Sequence, residues 1–370
     1  MLKPPKATRS SIMKKSNRTG LKTILVLVLI LALVIIGGKT LFDVGEFDTI
    51  WDHPLDDCHE LALTGAEDMT LVDNGSRVLI SAADRQGLDK EQKNGIYLYD
   101  GSYSPKLVYP TEGQPQGISS VPTESGTRVF VIVHKATQDV VLILDWASDS
   151  LTLVKELPFD NVTTLNGIVA IDGERFFASQ ELASSFKPFQ EVEKLLRLSL
   201  GKLWLYDGRA LRIARDKIIY PNGLALSADK KILYVASMLN RSLIVFDYDP
   251  TTYSVQWRNQ FPLQTAPDNL HWAGDRLLIG AHPKLLRLMA HSHDAIRFPA
   301  PSQVIVLDGL PDKPAISEVH SSKGGMISAI SSAVVLKDRL LLGSIYTKGM
   351  LTCAALAEKE KATIQSTLPN

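Results

Sequence analysis

Short apolar stretches in this chain come in pairs, and the pairs repeat. AEDMTLVDNGSRVLISA from Ala66, PQGISSVPTESGTRVFVIVH from Pro115, LNGIVAIDGERFFASQ from Leu165, PNGLALSADKKILYVAS from Pro221, PDNLHWAGDRLLIGAH from Pro267 and SSAVVLKDRLLLGSIY from Ser331 share one layout. Each opens on small or polar residues and runs through a short apolar strand. It then turns on Gly, Asp or Asn beside a cation (Arg77, Arg128, Arg175, Lys231, Arg276, Arg339) and closes on a second strand rich in Val, Leu, Ile and Phe. The layout predicts a β-hairpin whose turn cations are solvated loop tips. Further strands lie between the units: GIYLYDG at Gly95, VVLILDW at Val140, KLWLYDG at Lys202, SLIVFDYD at Ser242 and QVIVLDG at Gln303. Two hairpins per unit make a four-stranded blade. Six units, recurring every ~45–65 residues, predict an all-β fold, a six-bladed β-propeller. A β-sandwich leaves the regular period unexplained. One segment breaks the pattern: Phe186 to Leu200 predicts a helix, with Pro188 in its first turn and Phe189, Val192, Leu196 and Leu200 near one face. It reads as a helix packed over the propeller top, or as an amphipathic element that touches a membrane or gates the channel.

Charge changes the picture at one end only. Lys plus Arg equal Asp plus Glu at 40 each, so no global field points to nucleic acid as a partner. Residues 1–22 hold Lys3, Lys6, Arg9, Lys14, Lys15, Arg18 and Lys22 without an acid, and Thr23 to Gly38 follows with no charge at all. That run covers about 24 Å as a helix at ~1.5 Å per residue, slightly short of a ~30 Å hydrocarbon core, with Leu41 and Phe42 extending it. The reading is a basic cytoplasmic tail over 1–22, a transmembrane signal-anchor over 23–42 and the propeller over 43–370, in the lumen or outside the cell. A cleaved signal peptide is the alternative, and Ile36-Gly37-Gly38 suits cleavage poorly. The two cysteines, Cys58 and Cys353, stand near the ends of the folded region. They read as a bridge tying those ends together, or as two unrelated buried thiols. Sequons at Asn74, Asn161 and Asn240 agree with a secretory route.

The repeat also gathers chemistry. In a propeller the first residues of each innermost strand face the central channel. These are Glu67 and Asp68, Gln116, Asn166, Asn222, then Asp268 and Asn269. Two kinds of oxygen donor, carboxylate and amide, converge there from distant positions. Such a set suits Ca²⁺, which takes six to eight oxygens at about 2.3–2.6 Å, whereas zinc favours His and Cys. Any one Asn alone is more simply a turn residue.

The stretches GAEDMTL, PQGIS, VIVHK, TLNGIVAI, PNGLALS, PDNL and IGAHP resemble the paraoxonase/arylesterase family along nearly the whole chain. The resemblance implies a six-bladed propeller and a catalytic calcium held by Glu67, Asn166, Asn222, Asp268 and Asn269. It also implies the Cys58–Cys353 bridge and an uncleaved N-terminal helix. It implies calcium-dependent hydrolysis of hydrophobic lactones and aryl esters, the metal polarising the carbonyl and a water attacking it. In the family a His pair on the second blade serves as base. Here one member is His134, and the other is Gln116, an amide that accepts no proton near neutral pH. His134 alone, Asp268, or His282 in GAHP are the remaining candidates, and His134 also fits as a hydrogen-bonded core histidine. A second, structural calcium would use Asp68 and the Ile118 carbonyl, with Gly167 where the family has another acid, so it is expected to be weak or absent. Two readings compete: a non-catalytic propeller that assists assembly of membrane proteins, and a propeller enzyme similar to gluconolactonases or strictosidine synthase.

Overall fold

The structure is a computed structural model that describes residues 9–102, 104–124 and 126–355. Residues 1–8 of the basic tail and 356–370 at the other end of the 43–370 segment lie outside the described residues. The chain begins with a long helix, α1 (Arg9–Asp43), which contains the apolar run. Strands follow in chain order as β1 (His59–Ala62), β2 (Ala66–Val72), β3 (Arg77–Ala82), β4 (Gly95–Tyr99) and β5 (Lys106–Pro110). The second group is β6 (Gln114–Thr123), β7 (Gly126–His134), β8 (Asp139–Ala147) and β9 (Ser150–Phe159). The third is β10 (Leu165–Ala170) and β11 (Phe176–Gln180), then α2 (Lys187–Leu196), β12 (Gly201–Tyr206) and β13 (Leu211–Ile218). The fourth is β14 (Pro221–Leu226), β15 (Ile232–Ser237), β16 (Ser242–Asp249) and β17 (Ser254–Pro262). The fifth is β18 (Ala266–Ala273) and β19 (Arg276–His282), then α3 (Leu285–His293), β20 (Ser302–Asp308) and β21 (Ala315–Ser322). Last come β22 (Ile330–Leu336), β23 (Arg339–Ser344) and β24 (Gly349–Ala354).

Four sheets are antiparallel meanders of four strands, β6–β9, β10–β13, β14–β17 and β18–β21. The remaining eight-stranded sheet is two such arrays, β2–β5 and β22-β23-β24-β1, joined by the single pairing of Ala66 with Ser344. Strand β1 pairs with β24, so the first strand of the chain completes the array built by the last. A disulfide between Cys58 and Cys353 locks that closure. The first strands of the arrays, β2, β6, β10, β14, β18 and β22, each neighbour the next, and β22 returns to β2. Apolar side chains fill the space between sheets. Phe130 and Ile132 of one pack on Phe176 and Ala178 of the next, with the rings of Phe130 and Phe176 5.2 Å apart. Alternation along each strand therefore feeds two interfaces, which is why the middle strands are buried on both faces.

Three expectations change. Four of the six turn cations are not free tips: Arg77 pairs with Asp73 and Asp149 and lies over Trp146, Arg128 pairs with Asp145, Arg175 pairs with Asp172 and meets Tyr253, and Arg339 pairs with Asp57, whereas Lys231 is exposed. Carboxylates of the same turn, of the next strand or of a neighbouring turn lie within reach of these four, so the cations brace the turns. Helix α2 forms, with Phe186 before its first residue and Arg197 at its end in the left-handed conformation. Its apolar side chains do not pack on the propeller, however. Phe186, Val192, Leu195 and Leu196 are exposed, and the residue it buries is Glu193, which accepts the Ala183 N–H at 3.0 Å. The segment 23–42 is helical, yet among the described residues no helix is long and apolar enough to cross a membrane.

The end of α1 is fixed to the propeller face on which the inner strands start. Asp43 accepts from Arg197 at 2.6 Å, Arg241 pairs with Asp48 at 2.7 Å, and Val44 packs with Met238, Ala266 and Leu285. Helices α2 and α3 follow the ends of β11 and β19 and so stand on the same face.

Candidate active site

Each inner strand breaks its register near its start. The shifts fall between Ala66 and Asp68, Pro115 and Ile118, Leu165 and Ile168, Pro221 and Leu224, Pro267 and Leu270, and Ile330 and Ser332. A bulge re-aims the side chain it carries. The bulged positions hold Glu67, Gln116, Asn166, Asn222, Asp268 with Asn269, and Ser331, brought from 264 residues of sequence to one axis. Inner strands meet there backbone to backbone. A Cβ on Gly117, Gly167 or Gly223 would lie 2.4 Å from the carbonyl oxygen of Asn166, Asn222 or Asp268 respectively, so the residue after Gln116, Asn166 and Asn222 must be glycine.

All of Glu67, Gln116, Asn166, Asn222, Asp268 and Asn269 are buried. Their hydrogen bonds run between ring neighbours and to residues just outside the ring. Asn269 Nδ2 donates to Glu67 Oε1 at 3.0 Å, Asn166 Nδ2 donates to Glu181 Oε1, Asp268 Oδ2 lies 2.7 Å from His282 Nε2, and the Asn222 side chain also bonds Asp268. One oxygen of each is left with no partner: Glu67 Oε2, Asn166 Oδ1, Asn222 Oδ1 and Asp268 Oδ1. Buried acceptors left unpaired are costly, and four on one axis fit a group that needs only acceptors, namely a cation. Among the described residues no three His, Cys, Asp or Glu side chains form a metal cluster by themselves, so amide oxygens are essential to this set. Burial, with Asp68 and Asp268 nearby, pushes the Glu67 carboxyl well above the usual range, and burial raises Asp268 despite its bond to His282. Bringing these acids together costs free energy that positive charge would offset.

Asp68 is engaged differently. It accepts the Met69 N–H at 2.8 Å and the Ile118 N–H at 2.9 Å, while His271 Nε2 lies 2.9 Å from its Oδ1 without hydrogen-bond alignment. These groups take both oxygens, and the backbone closed around Gly167 leaves no room for a second acid. The residues do not fit a structural cation at Asp68 and Ile118. Below them the axis opens into a cavity of about 270 Å³, lined by Thr70, Ser119, Ser120 and Trp272 among others.

The histidines separate. His282 is buried at the ring, with Nε2 on Asp268 and Nδ1 unpartnered. His134 lies one strand out, on β7, with Nδ1 2.7 Å from Asp139, which in turn accepts the Leu165 N–H. Gln116, its expected neighbour, is bonded instead by Arg85. Sequence reading missed Arg85, Glu181, Tyr220 and Tyr346. Glu181 accepts from Asn166 and Tyr220, and burial pushes its carboxyl up to about 8. Burial also raises the hydroxyls of Tyr220 and Tyr346. The missed signal was positional. Residues just after the second strand of a hairpin return to the face where the first strand began, as His282 at the end of β19 does.

A closed ring of sheets with a ring of polar bulges at its centre defines a β-propeller with a binding site on its axis. A family profile described as Arylesterase matches residues 109–354, and the chain belongs to that family. It is 25% identical over 317 residues to serum paraoxonase/arylesterase 2 of Bos taurus, covering 80% of this chain and 88% of that protein. It is 23% identical over 323 residues to serum paraoxonase/lactonase 3 of Homo sapiens, covering 79% and 87%. A solved luciferin-regenerating enzyme superposes with a TM-score of 0.51 at 16% identity, over 81% of this chain and 93% of that one, which speaks to fold alone.

Proposed function

We propose that this chain is a calcium-dependent hydrolase of lactones and aryl esters, built on a six-bladed propeller in which the eight-stranded sheet counts as two blades. The observation that carries the reading is the set of four unpartnered buried oxygens on Glu67, Asn166, Asn222 and Asp268. Together with Asn269, which steadies Glu67, these residues would hold Ca²⁺. When bound, the ion supplies Lewis-acid polarisation of the substrate carbonyl oxygen. His282 Nδ1 is the free proton acceptor beside it: it takes a proton from the attacking water and returns it to the leaving oxygen as the acyl C–O bond breaks. Asp268 holds the ring by its other nitrogen and thereby sets its tautomer. His134, paired to Asp139, has the plainer role of a bonded structural histidine. The test is turnover of γ- and δ-lactones and phenyl acetate by the full chain with calcium and then with chelator. Absence of turnover despite bound calcium would leave a non-catalytic propeller.

The raised carboxyls give a pH signature. The cation-free protein holds protons on Glu181 and Glu67 that the unfolded chain loses near 4.5, so its stability falls as pH rises from there through about 8. A divalent cation favours the ionised forms. The calcium-induced gain is expected to grow between about pH 5 and about pH 8, reaching about 2.7 kcal/mol at a hundredfold excess over Kd. Thermal melts with and without chelator across that range check it; a gap that stays constant with pH contradicts it.

We also propose a secretory location with attachment to a membrane. Exposed apolar residues of α1 (Ile24, Leu27, Leu31 and Ile35), of α2 (Leu195 and Leu196, with Phe186 just before it) and of α3 (Met289) stand on or beside the face from which the inner strands start, which supports contact with lipid and with hydrophobic substrates. Asn74 and Asn161 are exposed acceptors for glycan, whereas Asn240 is half-buried and donates to Ser242. The expressed chain should sediment with membranes and shift in mobility on glycosidase treatment at Asn74 and Asn161. A soluble, unshifted chain would remove both proposals.

A further inference from the structure

Arg85 follows the hairpin β2–β3 and reaches across to the neighbouring sheet. Its Nη2 donates to Gln116 Oε1 at 2.7 Å and to the Pro115 carbonyl at 2.6 Å. Its Nη1 faces the Ala83 and Gly65 carbonyls at 3.2 and 3.4 Å. Four acceptors around one planar fork fix the guanidinium, so Arg85 is a rigid donor and not a mobile charge. An amide side chain has one acceptor end and one donor end. With Oε1 taken, Gln116 is left to present Nε2, and among the described residues no protein acceptor is bonded to that nitrogen. Gln116 occupies the bulge of β6, equivalent to those that aim Asn166 and Asn222 at the axis, and only 5% of it is exposed. Asn166 sends its amide nitrogen outward to Glu181 and Asn222 bonds its ring neighbour Asp268, both leaving oxygens unpartnered, whereas the Arg85 contact turns Gln116 the other way round. The ring of acceptors thus contains one donor.

We propose that Gln116 Nε2 is an oxyanion donor of this site, aimed by Arg85 as its positioning residue. The inference rests on the hydrolase reading above and adds a role which that reading leaves open. As water attacks, the carbonyl oxygen gains negative charge, and a fixed N–H aimed at it stabilises that charge more than the neutral ground state. No bond to Gln116 forms or breaks; the water proton goes to His282 Nδ1, and the amide only donates. The geometry also accounts for an amide at a place where an imidazole would face the Arg85 cation, a neighbour that disfavours its protonated form. Proton transfer and oxyanion binding are therefore divided between opposite sides of the ring.

The experiment uses the full chain in detergent with saturating calcium and two measurements. Calorimetry follows binding of the phenyl methylphosphonate anion, a tetrahedral anionic probe, and steady-state kinetics follow a δ-lactone. Gln116→Leu and Gln116→Glu are expected to weaken phosphonate binding about 10- to 100-fold, the range for a hydrogen bond to a charged group. They should also lower kcat with little change in KM, because the bond is made in the transition state. Gln116→Glu keeps an acceptor for Arg85 and so separates loss of the donor from loss of fold. Arg85→Met, which lets the amide turn, is expected to show a smaller loss in the same direction. Unchanged phosphonate binding in Gln116→Leu overturns the proposal, and so does a rise in kcat for Gln116→Glu at alkaline pH, which would make this position one for proton transfer. If the wild type lacks turnover while Gln116→Leu still loses the phosphonate, the hydrolase reading falls and the donor stands. If the wild type turns over and neither quantity moves, the donor falls and the hydrolase stands.

Discussion

Asp268→Ala is expected to remove at least about 10²- to 10³-fold of chelator-sensitive kcat/KM, the scale of losing a principal electrostatic group in an active site. Asp268 contributes twice. Its Oδ1 is one of the unpartnered oxygens on the axis, and its Oδ2 holds His282 Nε2 at 2.7 Å, so the variant loses a cation donor and frees the ring at once. Asn166→Ala removes an uncharged donor and no histidine contact, and should cost less. The comparison separates the two roles. If binding of calcium is the whole effect, raising its concentration restores both variants; if holding the imidazole matters, Asp268→Ala stays impaired at saturation while Asn166→Ala recovers. Calcium affinity by titration and kcat/KM on one lactone give the numbers. Activity in Asp268→Ala within threefold of wild type, with chelator still inhibiting, would remove Asp268 from the site.

Removing the disulfide is expected to cost roughly 5 kcal/mol, measured on a Cys58→Ser, Cys353→Ser double variant that leaves no unpaired thiol. The bridge joins residues 295 apart, so in the chain-entropy account it restricts the unfolded chain strongly, while loop length enters only through a logarithm. Its position adds a second reason. Closure of the ring depends on β1 pairing with β24 over four residues and on the single pairing of Ala66 with Ser344. Without the bridge that seam is the first place to open. Equilibrium denaturation in urea should show a lower midpoint, and hydrogen exchange should show protection lost first at Leu351 and Thr352. A change below about 1 kcal/mol would mean that packing alone closes the ring.

Much of the fold could be read from patterning. Six hairpins begin close to where the repeated units begin, because apolar alternation and Gly/Asp/Asn turns act over a few residues and need no distant information. Ring residues were legible for the same reason: a repeat maps equivalent positions to one place, and Glu67, Asn166, Asn222 and Asp268 all lie there. Of the turn cations expected to be solvated tips, Arg77 and Arg339 also meet carboxylates far along the chain, Asp149 and Asp57, 72 and 282 residues away, which no local pattern reveals. Helix α2 was visible as a helix, while the direction of its apolar face was not: periodicity shows that a face exists and is silent on what covers it.

The order of residues along this chain determined the hairpins, the register of the repeat and the set of oxygen donors, because each follows from local stereochemistry and from alternation at a period of two. Only the closed ring decided which atoms of those donors stay unpaired, that His282 and not His134 stands beside Asp268, and that Arg85 turns Gln116 into a donor. Such contacts join segments tens to hundreds of residues apart, and their geometry exists only once the strands meet around a common axis.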